Sequence, residues 1–251
     1  MDPDTDIGGP NYRFPVTNES VIVRVRSGDQ QTRQRAFESI LAGYWKPAYK
    51  YIRWQWHATN EDAKDLTQGF FATAFEKNYF AAYDVSKASF QTYIRTCLDG
   101  YVSNQQKADK RIKRGGLSEH FALDFVSAED ELALQSSSQE LSPEDFFHQE
   151  WVRSLFAIAI ESLRERLQDS NRKLHFKLFE MYDLGNDDPD ERLSYKKLAE
   201  QFELDTATVN NYLASTRREF RKIVMEKLRE LTATEAEFRN EARSLLGVDI
   251  K

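Results

Sequence analysis

The sequence predicts an all-α protein. Only 10 of its 251 residues are glycine and 6 are proline, and apolar residues recur at helical spacings of three and four along most of the chain. The one stretch that alternates as a strand does, VIVRVR at residues 21–26, is short and ends at Ser27-Gly28-Asp29. It fits a short strand or a weakly ordered arm. We therefore expect two helical domains preceded by an N-terminal arm of residues 1–29.

Composition limits the classes of function. The formal net charge of −6 argues against a general nucleic-acid binder, although the charges are unevenly distributed. Cys97 is the only cysteine, which excludes an internal disulfide and a two-cysteine metal site. No stretch reaches the roughly 20 apolar residues of a membrane span, and the N-terminus lacks the apolar run of a signal peptide. We expect a cytoplasmic protein that uses no membrane, metal or cofactor.

The first domain is predicted over residues 30–116. It starts with a helix of residues 30–42 and continues with an aromatic helix from Tyr44 to Trp56, where Pro47 suits a first turn. We interpret these rings as the core of a helix bundle rather than as a ligand pocket.

The next helix, NEDAKDLTQGFFATAFEKN, begins at Asn60 and has an acidic face. Asp62, Asp65 and Gln68 lie three residues apart and share that face. The two carboxylates could act as general acid and base, but no matching histidine or second acidic pair accompanies them. A solvated face or a docking surface for a basic partner fits the pattern better.

A long helix from Phe90, FQTYIRTCLDGYVSNQQKADKRIKRGG, follows a loop and ends in a basic cluster. Five cations fall within eight positions, which is more than the helix dipole requires: Lys107, Lys110, Arg111, Lys113 and Arg114. Tyr83, Phe90 and Tyr93 lie near its start. Cations that hold phosphates and rings that stack on bases are typical of a groove for single-stranded DNA.

Residues 117–150 contain nine acidic residues and no lysine or arginine. We predict a flexible acidic linker over residues 117–141. Ser142-Pro143-Glu144-Asp145 is a good helix start and opens the second domain, residues 142–231. A capping box, Thr232 with Glu235, then begins a helical tail over residues 232–251.

Within the second domain, SYKKLAEQFELDTATVNNYLASTRREFRKI at residues 194–223 predicts two helices joined by a tight turn. Leu198 and Val209 belong to their buried faces, and Asp205 or Thr206 caps the second helix. The other face of that helix is polar and then basic. This is the pattern of a DNA-binding helix-turn-helix. An ordinary helical hairpin with a solvated face is the alternative.

In order and separation, these segments resemble the RNA polymerase sigma factors of the sigma-70 family, of the extracytoplasmic-function (ECF) type, over about residues 32–247. DAKDLTQGFF at residues 62–71 is similar to the family's region-two motif, Asp-Ala-Glu-Asp-Leu-x-Gln-Glu-x-Phe. The long helix from Phe90 resembles the helix that follows this motif, and SYKKLAEQFELDTATVNNYLASTRREF resembles region four.

The resemblance implies a non-enzymatic subunit that joins core RNA polymerase and directs promoter recognition and transcription initiation. Docking on the largest and second-largest polymerase subunits would use Asp62, Asp65, Leu66, Gln68 and Phe71. The minus-10 element of promoter DNA would be bound by Tyr83, Phe90, Tyr93, Asn104, Lys107, Lys110, Arg111 and Arg114. The minus-35 element would be read by Thr206, Thr208, Asn210, Asn211, Ser215, Arg217, Arg218 and Arg221.

The chain departs from the family at the docking face, where Lys64 and Gly69 stand in place of two usual glutamates. We hypothesise that a Ser/Thr kinase restores the lost charge by phosphorylating Thr67, with an anti-sigma factor as another regulator. A plain helix-surface role for Thr67 is the alternative. Two other functions stay open: a helix-turn-helix regulator that never joins polymerase, and a hydrolase using Asp62 and Asp65, which lacks a base, a metal set and a glycine-rich loop.

Overall fold

The computed structural model describes residues 20–109, 123–133, 141–170, 172–185 and 193–247. These residues form ten α-helices and no β-strand, which confirms the all-α prediction. The helices are α1 (Val21–Val25), α2 (Gln30–Gln55), α3 (Asn60–Glu76), α4 (Phe90–Asp109), α5 (Phe125–Ala133), α6 (Pro143–Asp169), α7 (Lys173–Asp183), α8 (Tyr195–Gln201), α9 (Thr206–Leu231) and α10 (Glu235–Leu246), with a 3-10 helix at Tyr79–Ala82. Within the described ranges, none of the helices has the length and apolar character needed to cross a membrane.

The chain divides into two compact units. Among the described residues, the first unit comprises 20–155 and 228–247, and the second comprises 156–227. We call them the N-terminal unit and the helix-turn-helix unit. Helices α6 and α9 contribute residues to both. The N-terminal unit also contains α10, so the predicted tail belongs to the same packed body as α2, α3 and α4.

Residues 21–25 form helix α1 instead of the short strand that their alternation suggested. Val21, Ile22 and Val25 are buried because positions i, i+1 and i+4 share one helical face. That face packs on α2 and the 3-10 helix. Tertiary burial therefore overrides the local preference of β-branched residues for strands.

Helix α2 runs without a break through Pro47, so the two helices predicted over residues 30–56 are one. Proline cannot donate the backbone hydrogen bond to Gly43, yet the helix continues because both of its halves are buried in the unit. Tyr44 and Tyr51 are almost fully buried, and their rings contact Trp151 and Phe147 of α6. For Tyr44 and Tyr51, the predicted role as bundle core is confirmed, whereas Trp45 and Trp54 are half-buried.

Part of the predicted flexible linker is an ordered helix. Helix α5 packs against α2, with Phe125 and Ala128 buried in the contact. The prediction of flexibility is therefore wrong for residues 123–133. Acidic composition indicated a solvated chain, but the carboxylates of α5 have basic partners on α2 that are about eighty residues away in sequence.

The C-terminal helix α10 is anchored in the N-terminal unit by Phe238 and Ala242, which are fully buried. Its cap is Thr234, whose hydroxyl accepts a hydrogen bond from the backbone N–H of Glu237. The capping box predicted at Thr232 is thus displaced by two residues. Thr232 is buried directly after α9, and both its backbone N–H and its hydroxyl donate to the carbonyl of Leu228.

Candidate nucleic-acid and polymerase interfaces

The α8–α9 pair forms a helix-turn-helix closed by local hydrogen bonds. The backbone N–H of Leu204 donates to the carbonyl of Ala199 at 2.9 Å, and Glu203 takes the left-handed conformation, φ 53°, that the sharp turn requires. Asp205 caps α9 by accepting hydrogen bonds from the N–H and the hydroxyl of Thr208, each at 2.7 Å. These bonds hold the pKa of the Asp205 carboxyl below its ordinary value.

The first turns of α9 present polar side chains to solvent. Thr206, Asn210 and Asn211 are exposed, whereas Val209 and Leu213 on the opposite face are fully buried. Of the other predicted minus-35 residues, Arg218 is exposed, and Thr208, Ser215 and Arg221 are half-buried. The hydroxyl of Thr208 is engaged in the cap. The exposed amides are therefore the groups best placed to meet base edges.

Arg217 does not fit the DNA-contact role that its sequence position suggested. Its guanidinium binds both carboxylate oxygens of Asp183, with a shortest distance of 2.9 Å, and donates to the hydroxyl of Tyr195 at 3.2 Å. These bonds raise the pKa of Arg217 further above its ordinary value. Since Asp183 ends α7 and Tyr195 begins α8, Arg217 clamps three helices together and is not available to a phosphate in this conformation.

The predicted docking residues on α3 fall into two groups. Asp62 and Asp65 are exposed, and Leu66 and Gln68 are half-buried. Phe71 is fully buried and packs edge-on against Phe37 at 6.4 Å, so its predicted contact with a partner is wrong for this conformation. An acidic surface therefore remains at the start of α3, without the aromatic anchor.

The Tyr101 hydroxyl occupies the space that a side chain at Gly69 would need. A Cβ atom at this position would lie 2.3 Å from that hydroxyl on α4, so a glutamate here requires the Tyr101 side chain to move. Lys64, at the other departure from the family, forms an ion pair with Glu61 at 2.9 Å. Neither position 64 nor position 69 is therefore an acidic site from which a charge has simply been lost.

Thr67 is fully buried, and its hydroxyl donates to the carbonyl of Ala63 at 2.7 Å. Its expected place on the helix surface is wrong. Leu66 and Gln68 on either side are partly exposed, but position 67 turns toward the core with Ala63 and Phe70. A kinase cannot reach this hydroxyl in the folded unit, so the phosphorylation hypothesis loses its structural basis.

Two of the aromatic residues predicted to hold minus-10 bases are also buried. Tyr83 is 3% exposed and Phe90 is 1% exposed. The Tyr83 hydroxyl and the Phe90 backbone N–H both donate to one carboxylate oxygen of Glu237 on α10, at 3.0 and 2.8 Å. Burial and the charge of Glu237 raise the pKa of Tyr83. These rings are core residues, and their predicted role as stacking platforms is wrong for this conformation.

Tyr93 and Asn104, by contrast, meet at an open cleft of about 480 Å³ between the end of α3 and α4. The Tyr93 hydroxyl is oriented by a 2.7 Å hydrogen bond to the carbonyl of Tyr79. The cleft is also lined by Lys77, Asn78, Tyr79, Tyr101 and Gln105, none of which the sequence pattern had singled out. A signal existed: positions 93, 97, 101 and 104 recur at spacings of four, four and three along one face of α4.

Lys107 is exposed one turn beyond the cleft, at the end of α4. Lys110, Arg111, Lys113 and Arg114, the rest of the predicted basic cluster, lie outside the described residues. The cleft thus combines tyrosine rings, amide side chains and a nearby cation, a set suited to an unstacked base and its phosphate.

Comparisons of the chain with protein-family models, with curated proteins and with solved structures found no match.

Proposed function

We propose that this protein is a sigma factor: a subunit that binds core RNA polymerase and directs it to promoters. The observation that carries the proposal is the helix-turn-helix, in which a locally capped α9 exposes Asn210 and Asn211 in its first turns. A helix of this kind enters the major groove with its N-terminal residues against base edges.

In the proposed mechanism, Asn210 and Asn211 read the minus-35 element. An asparagine amide pairs with N6 and N7 of adenine through two hydrogen bonds, so these residues favour adenine-containing sites. Arg218 and Arg221, farther along α9, bind the phosphates and set the register of the helix. Arg217 contributes indirectly, because its bonds to α7 and α8 hold α9 at a fixed angle.

Melting of the minus-10 element is assigned to the cleft beside α4. A base released from the stack fits against the tyrosine rings, while Asn104 and Gln105 supply donors and acceptors to its edge. The acidic start of α3, with Asp62 and Asp65 exposed, is the proposed docking surface for a basic region of polymerase.

A regulator that binds DNA without polymerase is the second candidate, and the compactness of the helix-turn-helix unit favours it. The two candidates differ in what the N-terminal unit does. A regulator of this kind has no use for the acidic start of α3 or for the tyrosine cleft.

The test measures complex formation and transcription with purified core polymerase. We expect the full chain to co-elute with core enzyme and to support initiation on fragmented genomic DNA at discrete start sites. Asp65→Lys should abolish co-elution, whereas Asp130→Lys, an equal charge reversal at an exposed residue of α5, should not. Sequence-specific DNA binding with no co-elution would favour the regulator, and the absence of both would reject the two proposals together.

A further inference from the structure

One face of α2 carries a stripe of cations and rings. Lys46, Tyr49, Lys50 and Arg53 stand at positions i, i+3, i+4 and i+7, so they line up along about 10 Å of the helix. Trp45 lies beside Tyr49, one turn apart. We call these five residues the α2 stripe. Such an alternation of rings and cations is typical of surfaces that bind single-stranded nucleic acid.

Acidic helix α5 occupies this stripe. Glu131 accepts hydrogen bonds from Lys46 at 2.8 Å and from Lys50 at 2.6 Å. Glu129 binds Arg53 through both carboxylate oxygens, at 2.6 and 3.1 Å, and also accepts the hydroxyl of Tyr49 at 2.6 Å. Two carboxylates therefore satisfy the polar groups that the stripe directs toward α5. Lys50 is 2% exposed and also forms an ion pair with the buried Glu150 of α6 at 2.9 Å, so Lys46, Tyr49 and Arg53 are the polar groups that α5 chiefly covers.

The ring of Phe125 on α5 contacts the aromatic residues of the α2 stripe. Its centroid lies 5.4 Å from that of Trp45 and 5.1 Å from that of Tyr49. Helix α5 thus presents an aromatic ring to the rings of the stripe and anionic oxygens to its cations. A stretch of single-stranded DNA offers the same groups, a base and successive phosphates, in place of Phe125, Glu129 and Glu131.

The contacts between α5 and the α2 stripe are ones that a polyanion can displace by competition. Helix α5 has nine residues, and Val126 in it is 71% exposed. The side chains of Glu131 and Glu129 are 43% and 28% exposed, so salt and competing anions reach these ion pairs. The pKa of Glu131 is lowered to about 2 by its two lysine partners, against the effect of burial, and its charge is present throughout the neutral range.

We propose that the α2 stripe is a binding site for single-stranded DNA, and that α5 covers it in the free chain as an intramolecular competitor. The site is on a different helix from the cleft beside α4 and from the recognition helix α9. It does not depend on the proposed sigma-factor function, because binding to the stripe requires no polymerase.

The test uses the full chain and a fluorescent oligothymidylate of about 16 nucleotides, the upper end of site sizes for single-strand binding folds. Anisotropy is measured at low salt for wild type, Glu129→Gln and Asp130→Asn. Both variants remove one negative charge from adjacent positions, but only Glu129 is bonded to the stripe. We expect Glu129→Gln to tighten binding about 3- to 5-fold, as for one half-exposed ion pair, and Asp130→Asn to leave it near wild type.

Adding Lys46→Ala to the Glu129→Gln variant tests whether the tighter DNA binding arises at the α2 stripe. The side-chain hydrogen bonds of Lys46 go to Ser127 and Glu131 of α5, so its loss should reverse the tighter binding without disturbing the unit elsewhere. Equal affinities for Glu129→Gln and Asp130→Asn, or a gain that survives Lys46→Ala, would overturn the proposal. So would polyglutamate that binds as tightly as the oligonucleotide, because the stripe would then select any acidic chain.

A second measurement on the wild-type chain covers the case in which Glu129→Gln disturbs folding. Saturating oligonucleotide should accelerate hydrogen exchange of the backbone amides of α5, since displacement exposes that helix, and leave α10 unchanged. Unaltered exchange in α5 at saturation would contradict the inference.

Discussion

The two helices that we propose as DNA-binding elements, α4 and α9, begin in different environments. Helix α9 is capped by Asp205, its neighbour in sequence, and its first turns are exposed. Helix α4 begins at Phe90, whose N–H is bound by Glu237 from 147 residues farther along the chain. The start of α9 is thus built from its own segment. The start of α4 has a local cap as well, since Ser89 accepts the N–H of Thr92 at 3.2 Å, but it also binds the C-terminal helix through Glu237. In the proposed function, α9 relies on contacts within its own unit, including the Arg217 bonds, whereas α4 also relies on the packing of α10.

The largest expected effect is at Glu237, because one carboxylate joins three elements. It accepts hydrogen bonds from the Tyr83 hydroxyl, the Phe90 N–H and the Ala233 N–H. Glu237→Ala leaves these partly buried donors unsatisfied and should lower the free energy of unfolding by about 2–4 kcal/mol. Urea denaturation monitored by circular dichroism measures this change in the free energy of unfolding.

Glu235→Ala is the matched control, since Glu235 is exposed in the first turn of the same helix and its bonds go to Arg229 and Arg239. It should cost no more than about 1 kcal/mol. Equal losses in the two variants would show that the start of α4 is as independent as that of α9.

The second effect concerns the contact between α3 and α4. Gly69→Ala forces the Tyr101 hydroxyl to move and should cost about 1–3 kcal/mol. Gly100→Ala, in α4 with open space around it, should instead stabilise by about 0.5–1 kcal/mol. Thermal unfolding compares the two. Tyr101→Phe should rescue Gly69→Ala by removing the hydroxyl, and failure of the rescue would place the strain elsewhere.

The same contrast between local and distant contacts explains what the sequence could predict. The turn of the helix-turn-helix, the Asp205 cap and the exposed amides of α9 follow from residues within a few positions of one another. Burial of Thr67, Tyr83 and Phe90 depends on neighbours that come together only in the folded chain. Glu237, for example, meets Tyr83 and Phe90 only there. Helical periodicity in α3 predicts a buried face of Ala63, Leu66, Phe70 or Phe71, and Ala74. All of these except Leu66 are buried, and Thr67, which the pattern left on the surface, is buried as well.

A smaller effect is expected at Arg217, whose hydrogen bonds connect α9 to α7 and α8. Arg217→Ala removes the bonds to Asp183 and Tyr195 and should destabilise the helix-turn-helix unit by about 1 kcal/mol, because the Arg217 side chain is 39% exposed and solvent weakens the ion pair. Arg221, one turn farther along α9, provides the control. Arg221→Ala should change stability by less than about 0.5 kcal/mol while weakening DNA binding and flattening its salt dependence. Denaturation and salt-titrated DNA binding separate the two roles, and a reversed outcome would return Arg217 to the DNA face.

The smallest effect is at two exposed aspartate caps, one taken from each unit. Hydrogen bonds from Thr208 lower the pKa of Asp205 at the start of α9, and hydrogen bonds from Thr32 lower that of Asp29 at the start of α2. A carboxyl whose folded pKa lies below its unfolded value stabilises the fold above the unfolded pKa, and that contribution is lost as the pH falls through the folded pKa. Both caps should therefore weaken in acid, below the ordinary aspartate value of 3.8.

The amide resonances of Thr208 and Thr32 followed by NMR from neutral pH downward report each cap separately. Asp205→Asn should remove the acid transition at Thr208 while leaving the one at Thr32 unchanged, because an amide oxygen still accepts the hydrogen bond but does not titrate in this range. Asp29→Asn should do the converse. If Asp205→Asn also shifted the transition at Thr32, the start of α9 would not be the self-contained element that its local hydrogen bonds indicate.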